Sequence, residues 1–319
     1  LASFYRHPCG TTNALFKPAG TPPTIYEYLT PSIELAQTAQ SDTSYLLEIQ
    51  AMTRPTPLFL NHTTWNWTID LTRAGVNASQ FKALNWAEVF RQREALEAGE
   101  VVNSTGNRQV GHYWLRDPLL ASTLSQAESI GTARDKVKAF ADKIRSGKLR
   151  NANGSPFTHL IHVGIGGSVL GPAFILKALL NLNEGLTVDF VDNIDPDGLL
   201  QLLEQRRSQL DQTLVVVASK SGSTVETMGA AKIVREAMER IGLDFPRHAI
   251  AVTSEGTPLA RRSSEERWLE TFNIWDWVGG RFSATSAVGL LSLGLAGVDT
   301  GVLLEGAREM DRWTRSEPW

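Results

Sequence analysis

Ser219-Lys220-Ser221-Gly222-Ser223-Thr224 puts four hydroxyls, one lysine and one glycine into six consecutive residues, directly after an apolar run. Hydroxyls donate hydrogen bonds, the ammonium adds positive charge, and glycine lets the backbone approach a ligand closely. A helix starting at Ser223 would add free amides and the positive end of its dipole, so the stretch suits an anion. Gly164-Ile165-Gly166-Gly167-Ser168 has the same context, between an apolar run and a helix-like segment. One such turn is often only a helix cap, since Ser and Thr cap helices. Two on strands of one parallel sheet point to a bound phosphate, because ligands of such sheets lie at the carboxyl ends of the strands. The third stretch, WDWVGGRFSATSAVG (Trp275–Gly289), follows paired glycines with Arg281. That arginine can clamp an oxyanion or developing negative charge, or pair with Asp276 on a structural turn.

Other chemistries fit less well. The first turn reads GIGGSV rather than GxGxxG, and Asp192 or Asp195 is only loosely placed as a ribose partner. There is no GxxxxGK[ST], so a phosphate monoester is favoured over a nucleotide. The six histidines (His7, His62, His112, His159, His162, His248) show no HExxH spacing, and Cys9 is the one cysteine. No metal, organic cofactor or disulfide is therefore expected. His159 and His162 read as core residues, and His112 as a group behind the site. No Ser/His/Asp arrangement can be argued from spacing.

A doubly wound parallel sheet must position these stretches. Apolar strand runs are expected over 158–166, 186–193, 213–219, 248–254 and 272–277, alternating with helices over 168–182, 196–207 and 223–241. Ahead of them come helix patterns over 84–98 and 127–144, and an extended stretch over 65–71. Prolines break up residues 1–60, and residues 104–118 read as irregular. The expected organisation is a mostly helical N-terminal part of a large domain with an irregular leader (1–150), the α/β domain (151–290), and the start of a C-terminal part (291–319).

With 319 residues and 42% hydrophobic content the chain can bury a large core, and its net charge of −3 makes no case for nucleic acid or an anionic membrane. No apolar run reaches the roughly 18 residues of a membrane span. The sequons at Asn61, Asn66, Asn77, Asn103 and Asn153 read as chance. The first residue is Leu1, and the last residues carry a helix-like pattern from Val302 to Trp313 with no glycine cap, which suggests a piece of a longer protein. Residues 1–26 contain no Asp or Glu, which suits a surface leader or the tail of an organelle-targeting segment.

VGIGGSVLGP (Val163–Pro172), SKSGSTVET (Ser219–Thr227) and DWVGGRFSATSAVG (Asp276–Gly289) together resemble the glucose-6-phosphate isomerases. GEVVNSTGNRQVGHYWLR (Gly99–Arg116) is similar to cyanobacterial and plastid members, and the resemblance covers residues 68–319. It implies a sugar isomerase (SIS) domain in which Ser219, Lys220, Ser221 and Thr224 hold the sugar phosphate. Many members have threonine where Ser221 stands, and the hydroxyl is kept. Gly167 and Ser168 would lie against the sugar, and Arg281 would stabilise the enediolate. The resemblance also implies interconversion of glucose 6-phosphate and fructose 6-phosphate in glycolysis and gluconeogenesis, and a cytoplasmic homodimer, with the plastid as the alternative location. The family's general-base Glu and ring-opening His and Lys lie C-terminal to the VGGR stretch and are absent from this sequence, and Glu226 reads as structural. The chain by itself is thus expected to be inactive. The rival readings are a non-catalytic phosphosugar-binding module and an isomerase of mannose 6-phosphate or another phosphosugar.

Overall fold

The computed structural model describes residues 59–62, 66–75, 78–179 and 185–316. The leader (1–26), with His7 and Cys9, lies outside the described residues. The chain divides into two compact units, Leu1–Leu84 and Asn85–Trp319. In the first, β1 (Phe59–His62) pairs antiparallel with β2 (Trp67–Asp70), and a short helix α1 (Ala78–Lys82) comes after them. β2 falls inside the expected extended stretch. Its partner β1 lies where the sequence shows no clear period.

In the second unit the apolar runs become five parallel strands, in the order β4-β3-β5-β6-β7. These are β3 (His159–Gly164), β4 (Thr187–Val191), β5 (Thr213–Ala218), β6 (Ala249–Thr253) and β7 (Glu270–Asn273). From β3 the chain crosses to one side for β4 and to the other for β5, so the order reverses between β3 and β5. That reversal opens a crevice at their carboxyl ends.

Side chains alternate between the two faces, as the pleat requires. Leu214, Val216 and Ala218 pack with Leu160, Ile250 and Val252 on one face, while Val215 and Val217 pack with Ile161, Val163 and Ala251 on the other. The first face is covered by α3 (Leu124–Arg145) and α8 (Ala287–Leu295), the second by α5 (Pro196–Gln205), α6 (Val225–Arg240) and α7 (Pro258–Glu265). This is the expected doubly wound α/β fold. A capping box between Thr123 and Gln126 starts α3. α9 (Thr300–Ser316) is tied back by Asp311, which accepts from both Arg116 and Arg315, while Arg315 also pairs with Glu97 of α2 (Trp86–Glu97).

Three expectations change in detail. The last strand lies at Glu270–Asn273, earlier than the expected 272–277. Ile274 N–H still bonds Thr253 O at the end of β6, whereas Trp277 and Val278 are buried in a turn closed by Val278 N–H donating to Trp275 O. Burial of Trp277 and Val278 comes from turn packing rather than from sheet pairing. The expected helix over 168–182 is a 3-10 turn at Gly166–Ser168 followed by α4 (Leu170–Ala178), and residues 180–184 lie outside the described residues. α1, α7 and α8 add to the expected helices. Every residue of α8 is buried, so it carries no polar stripe for a periodicity to show. Among the described residues no helix is long and apolar enough to cross a membrane.

Leu214 is fully buried in the central strand. Leu214→Ala is expected to cost about 2–5 kcal/mol, read as a lower denaturant midpoint at an unchanged slope. A loss below about 1 kcal/mol would contradict the packing described.

Candidate functional site

The β5–α6 turn is shaped by its glycine. Gly222 has φ +63°, and a Cβ there would stand 2.7 Å from Thr257 Cβ and Oγ1, so both backbone and space demand glycine. Ser219 N–H donates to Val252 O, and Gly222 N–H closes the turn on Ser219 O, each at 3.0 Å. Thr224 occupies the cap position of α6 but its side chain makes no capping bond. Its Oγ1 instead lies 3.0 Å from Ser219 Oγ and 3.4 Å from Ser221 Oγ. Three hydroxyls therefore converge ahead of a helix whose first-turn amides have no side-chain cap. That is the anion-binding arrangement, not the capping one.

The first turn lies beside it across the β3/β5 crevice. It too lacks a side-chain cap, both at Gly166–Ser168 and at the start of α4. It is fixed from behind by His162, which is fully buried. His162 Nε2 lies 2.8 Å from Ser168 O and must donate to it, so Nδ1 accepts from Ser292 Oγ at 2.6 Å. One neutral tautomer satisfies both bonds, and burial pushes the ring's pKa down to about 4. His162 is a core histidine as expected, and its position also supports the turn. His159, also read as core, is only half-buried at the start of β3, where its Nδ1 lies 2.8 Å from Thr158 Oγ1.

The third stretch packs on the first through backbone. A Cβ on Gly167 would meet Gly280 O at 2.1 Å, so only glycine permits this approach. Ser283 Oγ lies within bonding distance of both Gly167 O (3.2 Å) and Gly280 O (2.7 Å). Lys220 joins the third stretch to the second: its Nζ donates to Asp276 O at 2.6 Å and to Val278 O at 2.8 Å. Burial, then the charge of Arg108, lowers its pKa.

Ser168, Ser219, Lys220, Ser221 and Thr224 line one cavity of about 460 Å³. Gly167 is not part of its lining and contributes the backbone contact above. The Arg281 side chain is exposed, lies outside the lining, and among the described residues has no hydrogen bond or ion pair. The pairing of Arg281 with Asp276 considered from the sequence does not form. Asp276 Oδ2 stands 4.0 Å from Arg108 Nε instead. Glu226 sits in the first turn of α6, outside the lining. His112 stacks on Phe282 with ring centroids 4.4 Å apart, and burial followed by the charge of Arg116 takes its pKa to about 4. It packs on the residue that follows Arg281 and is not part of the cavity lining.

Asp276 also lines the cavity, and sequence reasoning missed three further lining residues, Arg108, Ser254 and Thr257. Thr257-Pro258 is a legible helix start, since Thr257 Oγ1 caps Ala260 N–H with proline at the first helical position. Nothing local to Arg108 signals that its turn folds onto the end of β5. Among the described residues no group of three or more His, Cys, Asp or Glu could hold a metal ion.

The Phosphoglucose isomerase family profile matches residues 71–319. The chain is 45% identical over 249 residues to a glucose-6-phosphate isomerase of Synechococcus sp. (strain JA-3-3Ab), covering 77% of this chain and 47% of the relative. It is 47% identical over 229 residues to that of Geobacter sp. (strain M21), covering 72% and 43%. The crystal structure of a glucose-6-phosphate isomerase from Chlamydia trachomatis superposes with a TM-score of 0.65 at 32% identity, covering 76% of this chain and 47% of that one. The chain thus spans about half the length of the curated relatives it matches.

The buried His162 makes a pH prediction. Its folded pKa of about 4 lies below the ordinary 6.5, so as pH falls below 6.5 the unfolded chain takes up a proton that the folded ring refuses. Its contribution is complete above pH 6.5 and is lost progressively down to about 4, at up to about 1.4 kcal/mol per pH unit. Unfolding free energies measured across this range should rise less steeply with pH in His162→Gln. An unchanged slope would contradict the assignment.

Proposed function

The chain belongs to the phosphoglucose isomerase family, and on that premise we propose that it is the phosphosugar-binding part of an enzyme interconverting glucose 6-phosphate and fructose 6-phosphate. One observation carries the reading. Ser219, Ser221 and Thr224 aim their hydroxyls at one another, not at the backbone of α6, and leave its first turn for an anion. The phosphate would sit there, with Lys220 beside it. Gly167 and Ser168 would border the sugar, since both belong to the turn across the crevice. Arg281, unpaired and on a turn packed against Gly167, would meet the charge that develops on the reacting carbons.

Isomerisation moves the C2 proton of the aldose to C1. A base takes that proton and the electrons flow to the C1 carbonyl oxygen. The proton of the C2 hydroxyl passes to O1, and the resulting enediolate is reprotonated at C1 as the C2–O bond becomes the ketose carbonyl. Arg281 would stabilise the enediolate oxygen. The base must be a group near C2. Among the cavity's lining residues the sole carboxylate is Asp276, which stands at Arg108, so the base is not assigned to this chain. That observation supports the second reading, a phosphosugar-binding module without turnover. A homodimeric, cytoplasmic complete protein acting in glycolysis and gluconeogenesis, and the domain boundaries near 150 and 290, belong to the same proposal.

Titration calorimetry of the chain with fructose 6-phosphate should show saturable binding that inorganic phosphate competes away. Ser219→Ala should weaken it about 2- to 10-fold, the worth of one hydrogen bond. Absence of binding would overturn the reading. Binding without glucose 6-phosphate turnover in the protein from its source would favour the module, and faster turnover of mannose 6-phosphate would reassign the substrate.

A further inference from the structure

The cavity holds two cations in different circumstances. Lys220 has spent two of its three donors on Asp276 O and Val278 O. Arg108 lines the same cavity, and among the described residues no hydrogen bond holds its guanidinium. Its one partner is Asp276, at 4.0 Å, with the two side chains 46% and 69% exposed. Such a pair is weak and easily exchanged.

The backbone places Arg108 before any ligand arrives. Asn103 and Arg108 exchange two backbone bonds, Asn103 N–H to Arg108 O at 3.2 Å and Arg108 N–H to Asn103 O at 3.3 Å. Inside that turn Gly106 N–H donates to Asn103 Oδ1 at 3.1 Å, and Asn107 takes the left-handed conformation at φ +48°. The turn is closed by its own bonds. It presents a guanidinium with its donors free to a cavity that already offers hydroxyls.

We propose that Arg108 is a phosphate-binding cation of this site and that Asp276 is its resting counter-ion, displaced when a phosphate dianion enters. This deepens the phosphosugar-binding reading and rests on it. A guanidinium matches two phosphate oxygens at once, whereas an ammonium is a point charge, here mostly committed to backbone. Arg108 also pushes the Lys220 pKa down, so the two cations repel across the cavity. A dianion between them relieves that repulsion. Asp276 opposes the dianion by charge and by competing for Arg108. Lys220 holds the main-chain carbonyl of residue 276, not the carboxylate, so the Asp276 side chain can be neutralised without loosening the turn.

Two variants of the full chain test this with opposite signs. Fructose 6-phosphate binding is measured by calorimetry at pH 7.5, where the phosphate is a dianion. Arg108→Gln should weaken binding about 10-fold or more, the loss of a charged hydrogen-bonding partner. Asp276→Asn should tighten it a few fold. Arg108→Lys should fall between Arg108→Gln and the unmodified chain, because charge returns without the fork. Equal affinity in Arg108→Gln would overturn the proposal. So would weakened binding in Asp276→Asn, which a purely structural Arg108–Asp276 pair would produce. If the unmodified chain binds no fructose 6-phosphate, the phosphosugar reading itself fails. Binding by the unmodified chain with an unaffected Arg108→Gln would instead remove only the role of Arg108.

Discussion

The Lys220 ammonium on the carbonyls of Asp276 and Val278 is the interaction on which the site depends. It binds the turn after β5 to the turn after β7, two segments more than 50 residues apart that share no strand pairing with each other. Two charge-assisted bonds to backbone from a half-buried ammonium fix the later turn in position as well as in conformation. Once Val278 is fixed, Gly279-Gly280-Arg281 must come next, and Gly280 comes to rest on the backbone of Gly167. All three chemical stretches of the sequence therefore meet through one side chain and one glycine.

The sheet makes that meeting possible. Its order reverses between β3 and β5, and the turns leaving those two strands line the cavity: Ile165 and Ser168 after one, Ser219, Lys220 and Ser221 after the other. Behind the first turn, the neutral His162 ties Ser168 O to Ser292 in the fully buried α8. A buried imidazole in this role is stable only uncharged, and so the support of the turn is linked to pH. Hydroxyls on the solvent side and a core histidine behind give the crevice rigid walls without a metal ligand set among the described residues.

Much of this is legible in the sequence because the signals are local. Apolar strands alternating with helices point to the parallel sheet, and the Gly/Ser turns mark its carboxyl edge. The illegible parts have non-local causes. The aromatic run Trp275–Val278 has strand-like composition, yet it turns away from the sheet, and Lys220 holds the carbonyls of residues 276 and 278 from a distance. α8 shows no helical period because neither of its faces meets water. Arg108 reaches the cavity only through a turn whose destination is set by the tertiary fold. The place of Lys220 in the loop suggests a phosphate ligand. Nothing in its neighbours reveals that the backbone of residues 276 and 278 claims two of its donors.

The measurement that tests the site most directly is a crystal structure of the chain with fructose 6-phosphate. The phosphate should lie within hydrogen-bonding distance of the hydroxyls of Ser219, Ser221 and Thr224, at the start of α6. The sugar carbons should extend toward Gly167 and Arg281, with the bonds of Lys220 to residues 276 and 278 intact. A phosphate bound elsewhere, or a sugar directed away from the Arg281 turn, would contradict the account.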